Sequence, residues 1–199
     1  MSSKPIRLGV DLDGIVCDYH AAWNHLAWEM FGTILPLPPT TWHWDLAAGL
    51  TPEQVGQMWD HVRGNPTFWE DLSPLPGVKA ALRAFNAWGY AGTVETYFIT
   101  SRPGKAVKWQ SERWLKNQGM SNPTVLIADG PDAKALLCDG LNVSYFIDDS
   151  PDNLEAVEEA LGGVVDVYTI DWPYNVGAPG IRVPTIEHFM EAIQERLKK

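Results

Sequence analysis

Three apolar runs of this chain each end in polar side chains that could take part in phosphoryl chemistry. These side chains are Asp11 and Asp13, Thr100 and Ser101, and Asp148 and Asp149. If the runs are parallel strands of one sheet, their carboxyl ends meet at one edge, where open α/β sheets bind their ligands. Carboxylates and hydroxyls would then converge on one pocket, and such a set suits a magnesium ion and a phosphate monoester.

Asp11 is placed to act as a nucleophile, because it directly follows its apolar run. A carboxylate in that position can attack phosphorus and form an aspartyl-phosphate. Asp13 could protonate the leaving alcohol and then deprotonate the attacking water, and Gly14 allows the backbone to turn sharply beside the phosphate. A solvated turn or a calcium-type loop has the same Asp-x-Asp-Gly pattern, so this motif alone leaves the role of the two carboxylates open.

Two later regions carry predictions of phosphate and metal binding. Thr100 and Ser101 precede a predicted helix, where hydroxyls and free backbone amides form anion sites, although an ordinary capping turn would look the same. Lys134 could neutralise a phosphate, and the alternative is a solvated surface lysine. Asp148 and Asp149 repel each other unless a cation or hydrogen-bond donors compensate. Metal binding is one interpretation of this pair, and capping of the next helix is the other.

The elements predicted around these residues form an α/β fold. From Gly77 onward strands and helices alternate, which predicts a parallel sheet with right-handed crossovers. Residues 18–75 break this alternation, because they are helical, rich in tryptophan and bounded by flexible or proline-rich joints. We predict that they form a helical cap inserted after the first strand, and that residues 1–17 and 76–199 form the core domain.

The composition argues against several kinds of partner. With 25 acidic and 15 basic residues the formal net charge is −10, which disfavours a nucleic-acid polymer but not a small phosphorylated substrate. No apolar run approaches the roughly 20 residues of a membrane span, and no signal peptide precedes Ile6. Cys17 and Cys138 have neither metal nor redox spacing, so we predict reduced core thiols. We expect a soluble, cytoplasmic protein without membrane contact, and a homodimer remains open.

Taken in order, Asp-x-Asp-Gly, Ile-Thr-Ser-Arg, a lysine and Ile-Asp-Asp resemble the motifs of the haloacid dehalogenase superfamily of phosphohydrolases. The resemblance covers most of the chain and implies a Rossmann-like fold, with helices on both faces of the parallel sheet, and Mg²⁺ as cofactor. The roles that it implies are nucleophile and metal ligand for Asp11, acid/base and backbone metal ligand for Asp13, phosphate ligands for Thr100 and Lys134, and acidic metal ligands for Asp148 and Asp149. Ser101 would join the phosphate ligands.

Within this superfamily the chain most resembles the 5'(3')-deoxyribonucleotidases. The resemblance rests on Asp-Leu-Asp-Gly-Ile-Val-Cys-Asp, the small helical cap, Phe-Trp-x-x-Leu-x-Pro-Leu-Pro-Gly and Ile-Asp-Asp-Ser-Pro-Asp-Asn. It implies a magnesium-dependent phosphomonoesterase that acts on nucleoside monophosphates, with cap aromatics that hold the base. Phe68 and Trp69 are the predicted stacking residues, since a base gains about 1–3 kcal/mol on an aromatic ring.

The other aromatic residues are predicted to have structural roles. We expect core positions for Trp23, Trp28, Trp42, Trp44 and Trp59, because a small helical cap needs bulky residues to form a core. Trp172–Asn175 follows the last predicted strand and is interpreted as a turn with an aromatic plug rather than as a border of the pocket. Arg102 could contact a phosphate or pair with an acidic neighbour.

Two other functions remain open at this stage. One is a phosphatase of the same superfamily that acts on another small phosphate ester or on a nucleic-acid 3'-phosphate. The other is a non-catalytic binding module that kept the fold, which the presence of all the key polar residues disfavours. The tryptophan-rich cap departs from the usual pattern, and neither the base nor the sugar preference follows from the sequence.

Overall fold

The computed structural model describes residues 4–198, and its centre is a six-stranded sheet. The strands are β1 (Ile6–Val10), β2 (Val94–Thr100), β3 (Thr124–Ile127), β4 (Tyr145–Ile147), β5 (Asp166–Ile170) and β6 (Ile181–Val183). They lie in the order β3-β2-β1-β4-β5-β6, and every neighbouring pair is parallel. Parallel neighbours need crossover connections, which is why helices separate most of the strands. The predicted parallel α/β fold is confirmed.

The helices fall into an early group and a group that alternates with the strands. In residues 4–198 they are α1 (Tyr19–Phe31), α2 (Trp44–Ala47), α3 (Pro52–Gly64), α4 (Val78–Tyr90), α5 (Val107–Asn117), α6 (Pro131–Gly140), α7 (Pro151–Leu161) and α8 (Ile186–Leu197). A 3-10 turn at Pro173–Asn175 lies between β5 and β6. Over these same residues, no helix combines the length and apolar character needed to cross a bilayer.

Helices cover both faces of the sheet, because successive side chains of a strand point to opposite sides. Phe98 and Ile147 belong to a buried cluster that includes residues of α4, α5 and α8. Their strand neighbours Ile99 and Phe146 belong to a second cluster with residues of α6 and α7. This two-sided burial is the layering of the predicted Rossmann-like fold.

The segment that carries α1, α2 and α3 leaves the sheet after β1 and returns before α4. Its two connecting stretches run side by side. Asp18 N donates to Ser73 O at 2.8 Å, and Leu75 N donates to Val16 O at 3.0 Å. The helices of this segment therefore lie beyond a narrow neck, next to the edge at which β1 ends. The division into core and cap domains at these positions stays a prediction.

Two local predictions from the sequence are confirmed. At the start of α3, Gln54 N donates to Thr51 Oγ1 at 3.2 Å and Thr51 N donates to Gln54 Oε1 at 2.9 Å, which is a capping box. Cys17 and Cys138 are both buried and unpaired. Burial raises the pKa of the Cys138 thiol to about 12, so this residue is an inert core thiol.

Candidate active site

The carboxyl ends of β1, β2 and β4 meet where the strand order changes direction. Val10 is level with Ile147 in the β1–β4 pair, and Asp11 N donates to Ile147 O at 2.9 Å. Asp148 therefore follows β4 beside Asp11. On the other side β2 ends in Thr100, which is buried. The structure thus brings the three predicted motifs to one edge, the usual ligand position in an open α/β sheet.

Three buried carboxylates and one buried ammonium group form the centre of this edge. Asp11, Asp148 and Asp149 each offer an oxygen within 4.8 Å of the others. Lys134 Nζ donates to Asp11 Oδ1 and to Asp148 Oδ2, both at 2.6 Å. The first turn of α6 carries this lysine, so the helix that follows β3 supplies the cation. Lys134 is buried and lines the site, which excludes the alternative of a solvated surface lysine.

The two adjacent carboxylates have different environments. Asp148 Oδ1 accepts hydrogen bonds from Ser150 N at 2.9 Å and from Asn153 Nδ2 at 3.0 Å, while its Oδ2 is held by Lys134. A carboxylate has about four acceptor positions, so Asp148 is close to saturated and does not line the cavity at this edge. Asp149 does line the cavity. Its Oδ2 accepts a hydrogen bond from the Tyr174 hydroxyl, and its Oδ1 is available to a ligand.

The charge balance of this group is unfavourable without a further cation. Burial raises the pKa of Asp11 to about 7, with smaller upward contributions from Asp148 and Asp13 and an opposing one from Lys134. Burial also raises the pKa of Asp149 well above its ordinary value. Three buried carboxylates share one ammonium group, and hard oxygen donors are what Mg²⁺ prefers. The donor set therefore fits a divalent cation, which would compensate the excess negative charge.

Gly14 leaves room for Asp149. Its φ angle is +72°, and a Cβ at this position would lie 2.1 Å from Asp149 Oδ2. A side chain here would be strained by the backbone and would also collide with the carboxylate. Trp172 Nε1 donates to the Gly14 carbonyl at 2.8 Å and fixes the turn. Glycine is therefore needed at this position for a steric reason, in addition to the sharp turn that the sequence suggests.

Asp13 is clamped by Arg102. The guanidinium donates to Asp13 Oδ2 at 2.9 Å and to Asp13 Oδ1 at 2.8 Å, and it also bonds Ser111 Oγ at 2.9 Å and Cys17 Sγ at 3.0 Å. The central carbon of the Arg102 guanidinium, Cζ, lies 4.7 Å from the centroid of the Trp69 ring. Arg102 is buried, so of the two roles open from the sequence the structure shows the pairing with an acidic neighbour.

A cavity of about 540 Å³ opens above this edge and extends under the early helices. Its polar lining residues from the sheet edge include Asp11, Asp13, Thr100, Ser101, Lys134 and Asp149. Its lining residues from the early segment include Tyr19, His20, Trp23, Trp42, Trp44, Asp45, Trp59 and Trp69. The volume is in the range of sites for small organic ligands, which are mostly apolar with a few convergent polar groups.

The expectation that the remaining tryptophans of the early segment form its core is only partly right. Trp23 and Trp44 are buried, and Trp59 packs against the same core cluster. All three also line the cavity, so these side chains contribute to the core and to the candidate ligand site together. Trp42 and Trp28 contradict the prediction, since they are 46% and 55% exposed.

The structure separates the two residues predicted to stack a base. Trp69 is buried, lines the cavity and donates from Nε1 to Pro103 O at 3.0 Å. Phe68 lies behind it, edge-on to the Trp69 ring at a centroid distance of 4.9 Å, and does not line the cavity. Stacking of a base on Phe68 therefore has no support from this placement.

Tyr174 is a site residue that the sequence interpretation missed. Its hydroxyl donates to Asp149 Oδ2, and its ring lines the cavity and stacks on Trp172 with an interplanar angle of 10°. The turn after β5 is thus a border of the pocket, contrary to the expectation of a mere aromatic plug. No local pattern signals this contact, because 25 residues separate the two partners in the chain.

Comparison with known proteins gives a consistent family assignment. The family model described as "5' nucleotidase, deoxy (Pyrimidine), cytosolic type C protein" matches residues 4–180. A Chlorobaculum tepidum protein named "Putative 5'(3')-deoxyribonucleotidase" is 25% identical over 158 residues, which cover 77% of this chain and 74% of that protein.

Solved structures support the fold. A haloacid dehalogenase-like hydrolase from Streptococcus pneumoniae has a TM-score of 0.60 at 13% identity, with 96% of this chain and all of that chain covered (100%). A HAD family hydrolase from Deinococcus radiodurans R1, solved with bound phosphate and sodium, also has a TM-score of 0.60 at 13% identity, with 98% of each chain covered. At these identities the likeness concerns the fold alone.

Proposed function

Because the chain belongs to the 5' nucleotidase, deoxy (pyrimidine), cytosolic type C protein family, we propose that it is a magnesium-dependent 5'(3')-deoxyribonucleotidase that works through a phosphorylated Asp11. Family membership makes it a hydrolase of phosphoric monoesters. The main observation in support of the proposal is that polar catalytic-type groups and aromatic rings line one and the same cavity. The sheet edge presents a nucleophile, a lysine and metal-type carboxylates to this cavity, and the early segment presents aromatic rings to it.

The aromatic lining of the cavity supports a nucleoside, with its planar base, as the leaving group. The Tyr19 ring is nearly parallel to Trp59, at 16°, and to Trp69, at 24°. Rings with a common orientation suit a flat partner, which gains about 1–3 kcal/mol from stacking. A simple sugar phosphate would leave these rings without a matching surface. The cavity therefore favours a nucleotide over another small phosphate ester.

Asp11 carries the first chemical step of the proposed mechanism. Lys134 holds its Oδ1, which leaves Oδ2 to attack phosphorus in line with the leaving oxygen. The new bond joins Asp11 Oδ2 to phosphorus as the ester P–O bond breaks. Thr100 and Ser101 line the same cavity and can bind the phosphoryl oxygens.

Asp13 carries the proton transfers. It gives a proton to the departing alkoxide, then takes one from the water that attacks the phosphorylated aspartate and frees Asp11. Both of its oxygens accept hydrogen bonds from Arg102, which occupy two of about four acceptor positions of the carboxylate. The transferred proton would occupy one of the remaining positions.

The metal ligands in this proposal are Asp11, Asp149 and the backbone carbonyl of Asp13. Asp148 contributes mainly by holding Lys134 and by its own hydrogen bonds. When bound, the divalent cation supplies positive charge that keeps Asp11 ionised and draws electrons from the phosphoryl oxygens. The chain's own contribution is to keep these carboxylates in place and shielded from water.

A phosphate-release assay tests the proposed function. With Mg²⁺, deoxynucleoside monophosphates should exceed glucose 6-phosphate and glycerol phosphate in kcat/KM by at least about tenfold, the effect of roughly 1.4 kcal/mol of stacking. Asp11→Asn should abolish turnover, because the amide is isosteric but a poor nucleophile. Asp139→Asn, which alters an exposed carboxylate of α6 outside the site, is the matched control and should remain active. Sugar phosphates that react as fast as nucleotides would contradict the proposal.

A further inference from the structure

Arg102 has no role in the mechanism proposed above, yet it is bound directly to a residue that does. Resting on the proposed role of Asp13 in proton transfer, we propose that Arg102 is a positioning residue, which keeps the Asp13 carboxylate directed at the leaving oxygen of the substrate. Arg102 itself would touch neither the phosphoryl group nor the nucleoside. It directly follows Thr100 and Ser101, so one loop would both bind phosphate and hold the acid/base residue.

The guanidinium of Arg102 uses nearly all of its hydrogen-bonding capacity inside the protein. Its Nε and Nη2 donate to the two oxygens of Asp13, at 2.9 and 2.8 Å. Its Nη2 also donates to Cys17 Sγ at 3.0 Å, and its Nη1 donates to Ser111 Oγ at 2.9 Å. These four bonds occupy four of the five N–H groups of a guanidinium. Little capacity therefore remains for a phosphate.

The Arg102 side chain is shielded from water, whereas Asp13 is open to the cavity. Both residues border the cavity, but the Arg102 side chain has 0% exposure and the Asp13 side chain is 23% exposed. The Trp69 ring covers the guanidinium at 4.7 Å. A two-point ion pair is strong and directional, and a low local dielectric strengthens it further. Arg102 is thus the fixed partner, and Asp13 is the partner that faces the substrate.

The loop that carries Arg102 is itself held by hydrogen bonds. Trp69 Nε1 donates to Pro103 O at 3.0 Å, and Gln110 Nε2 donates to Lys105 O at 2.9 Å. Gln110 Oε1 in turn accepts from Trp69 N at 3.0 Å, so the two anchors of the loop are joined. The backbone that follows Arg102 is therefore fixed, and this limits the orientations that the guanidinium can adopt.

Asp13 depends on Arg102 for its orientation. Within residues 4–198 its carboxylate accepts hydrogen bonds from no other residue. The charge of Asp13 also raises the pKa of Asp11, which means that the two carboxylates repel each other. Without the arginine, Asp13 could turn to other side-chain rotamers, away from Asp11 and from the leaving oxygen. A displacement of about 1 Å is enough to lower a reaction rate about 100-fold.

Two aryl phosphates of similar size measure this positioning without involving a nucleoside. p-Nitrophenolate leaves readily without a proton, whereas the more basic phenolate of phenyl phosphate depends on a general acid. The measured quantity is the ratio of kcat/KM for p-nitrophenyl phosphate to kcat/KM for phenyl phosphate, with Mg²⁺ present. kcat/KM reports the steps up to departure of the leaving group. Both substrates are assayed on one enzyme preparation, so an inactive fraction cancels from the ratio.

Two substitutions of Arg102 test the clamp directly. Arg102→Met should raise the ratio at least about tenfold, because turnover of phenyl phosphate falls about 100-fold and that of p-nitrophenyl phosphate much less. Arg102→Lys should raise it to a similar extent, because lysine keeps the charge but cannot hold both carboxylate oxygens in a fork. The lysine variant therefore separates positioning from a simple effect of charge.

Two further variants complete the experiment. Ser111→Ala removes one contact of the guanidinium and leaves the acid/base residue and the cavity lining unchanged, so it should raise the ratio by a smaller factor. Arg113→Met is the matched control, because Arg113 also pairs with a carboxylate, that of Glu70, and also lies over a tryptophan ring, but outside the cavity. This control should keep the wild-type ratio.

The outcomes separate this inference from the proposed function. A wild-type ratio in Arg102→Met or in Arg102→Lys overturns the positioning role, while nucleotide hydrolysis stands. That ratio together with an equal loss of kcat/KM for both substrates would assign Arg102 to the phosphoryl group instead. If neither arginine variant folds, Ser111→Ala decides in the same way. A wild type that hydrolyses neither the aryl phosphates nor nucleotides refutes the proposed function, and the role of Arg102 with it.

Discussion

Replacement of Asp11 by asparagine should stabilise the metal-free protein, and the gain should grow with pH. Asp11 is buried with two other carboxylates and only Lys134 to balance them. The variant keeps the shape of the side chain and removes its charge. The residue proposed as the nucleophile would thus be a source of instability in the absence of a cation, as expected of a site that holds one.

The expected size follows from the pKa of Asp11, which burial raises from 3.8 to about 7. Well below pH 3.8 the carboxyl group is protonated in both the folded and the unfolded chain, so it costs no stability. As the pH rises, the unfolded chain ionises first, and the wild type loses stability until the folded carboxyl also ionises near pH 7. At about 1.4 kcal/mol per pKa unit, the deficit is about 2 kcal/mol at pH 5 and about 4 kcal/mol at pH 8.

Urea unfolding followed by tryptophan fluorescence, with chelator present, measures this deficit. The difference in unfolding free energy between Asp11→Asn and wild type should increase by roughly 2–3 kcal/mol from pH 5 to pH 8. Mg²⁺ at pH 8 should stabilise the wild type more than the variant. Asp139→Asn, at an exposed position, should show no such trend. A pH-independent difference would refute the reasoning.

Three further substitutions test individual contacts. Lys134→Met should destabilise the metal-free protein by about 3–5 kcal/mol, because it leaves buried carboxylates without a partner, and turnover should be lost; a variant as stable as wild type contradicts this. Gly14→Ala should weaken Mg²⁺ binding about 10- to 100-fold in a metal titration, because its Cβ would displace Asp149; unchanged affinity speaks against the steric argument. Trp69→Ala should raise KM for nucleotides about tenfold, with less effect on p-nitrophenyl phosphate, whereas Phe68→Ala should leave the two KM values in their original ratio; equal effects of the two variants would show that Trp69 does not stack the base.

The polar edge of the site was predictable because parallel strands leave little freedom in where their carboxyl ends lie. Asp11 and Asp148 each follow an apolar run directly, so the fold alone places them side by side. Lys134 could be predicted only from its place in the order of the motifs, since nothing in the neighbouring sequence distinguishes it from a surface lysine. Its burial between Asp11 and Asp148 appears only when the start of α6 lies beside the residues that follow β1 and β4.

The cavity above that edge was less predictable, because helical periodicity identifies a buried face without saying what it is buried against. Trp23 and Trp44 are buried as predicted, and the cavity reaches them all the same. Phe68 and Trp69 are adjacent, and only the path of the chain decides which one faces the cavity. The Arg102–Asp13 pair and the Tyr174–Asp149 pair join residues that are 89 and 25 positions apart.

A short strand was also not predicted from the sequence pattern. β6 has three residues, Ile181–Val183, too few to show the alternation that identifies a strand. It is positioned by pairing with β5, in which Thr169 is level with Arg182. Arg182 in turn donates to the Asn175 carbonyl at 2.8 Å, and this contact ties β6 to the turn that carries Tyr174.

Chemical trapping of the phosphorylated residue is the most direct measurement of the central claim. Borohydride reduces an acyl phosphate to the alcohol, so enzyme quenched during turnover of dCMP with Mg²⁺ should contain homoserine in place of Asp11, as read by peptide mass spectrometry. The conversion should require both substrate and metal. Homoserine at another aspartate, or none at position 11 while phosphate is being released, would contradict covalent catalysis by Asp11.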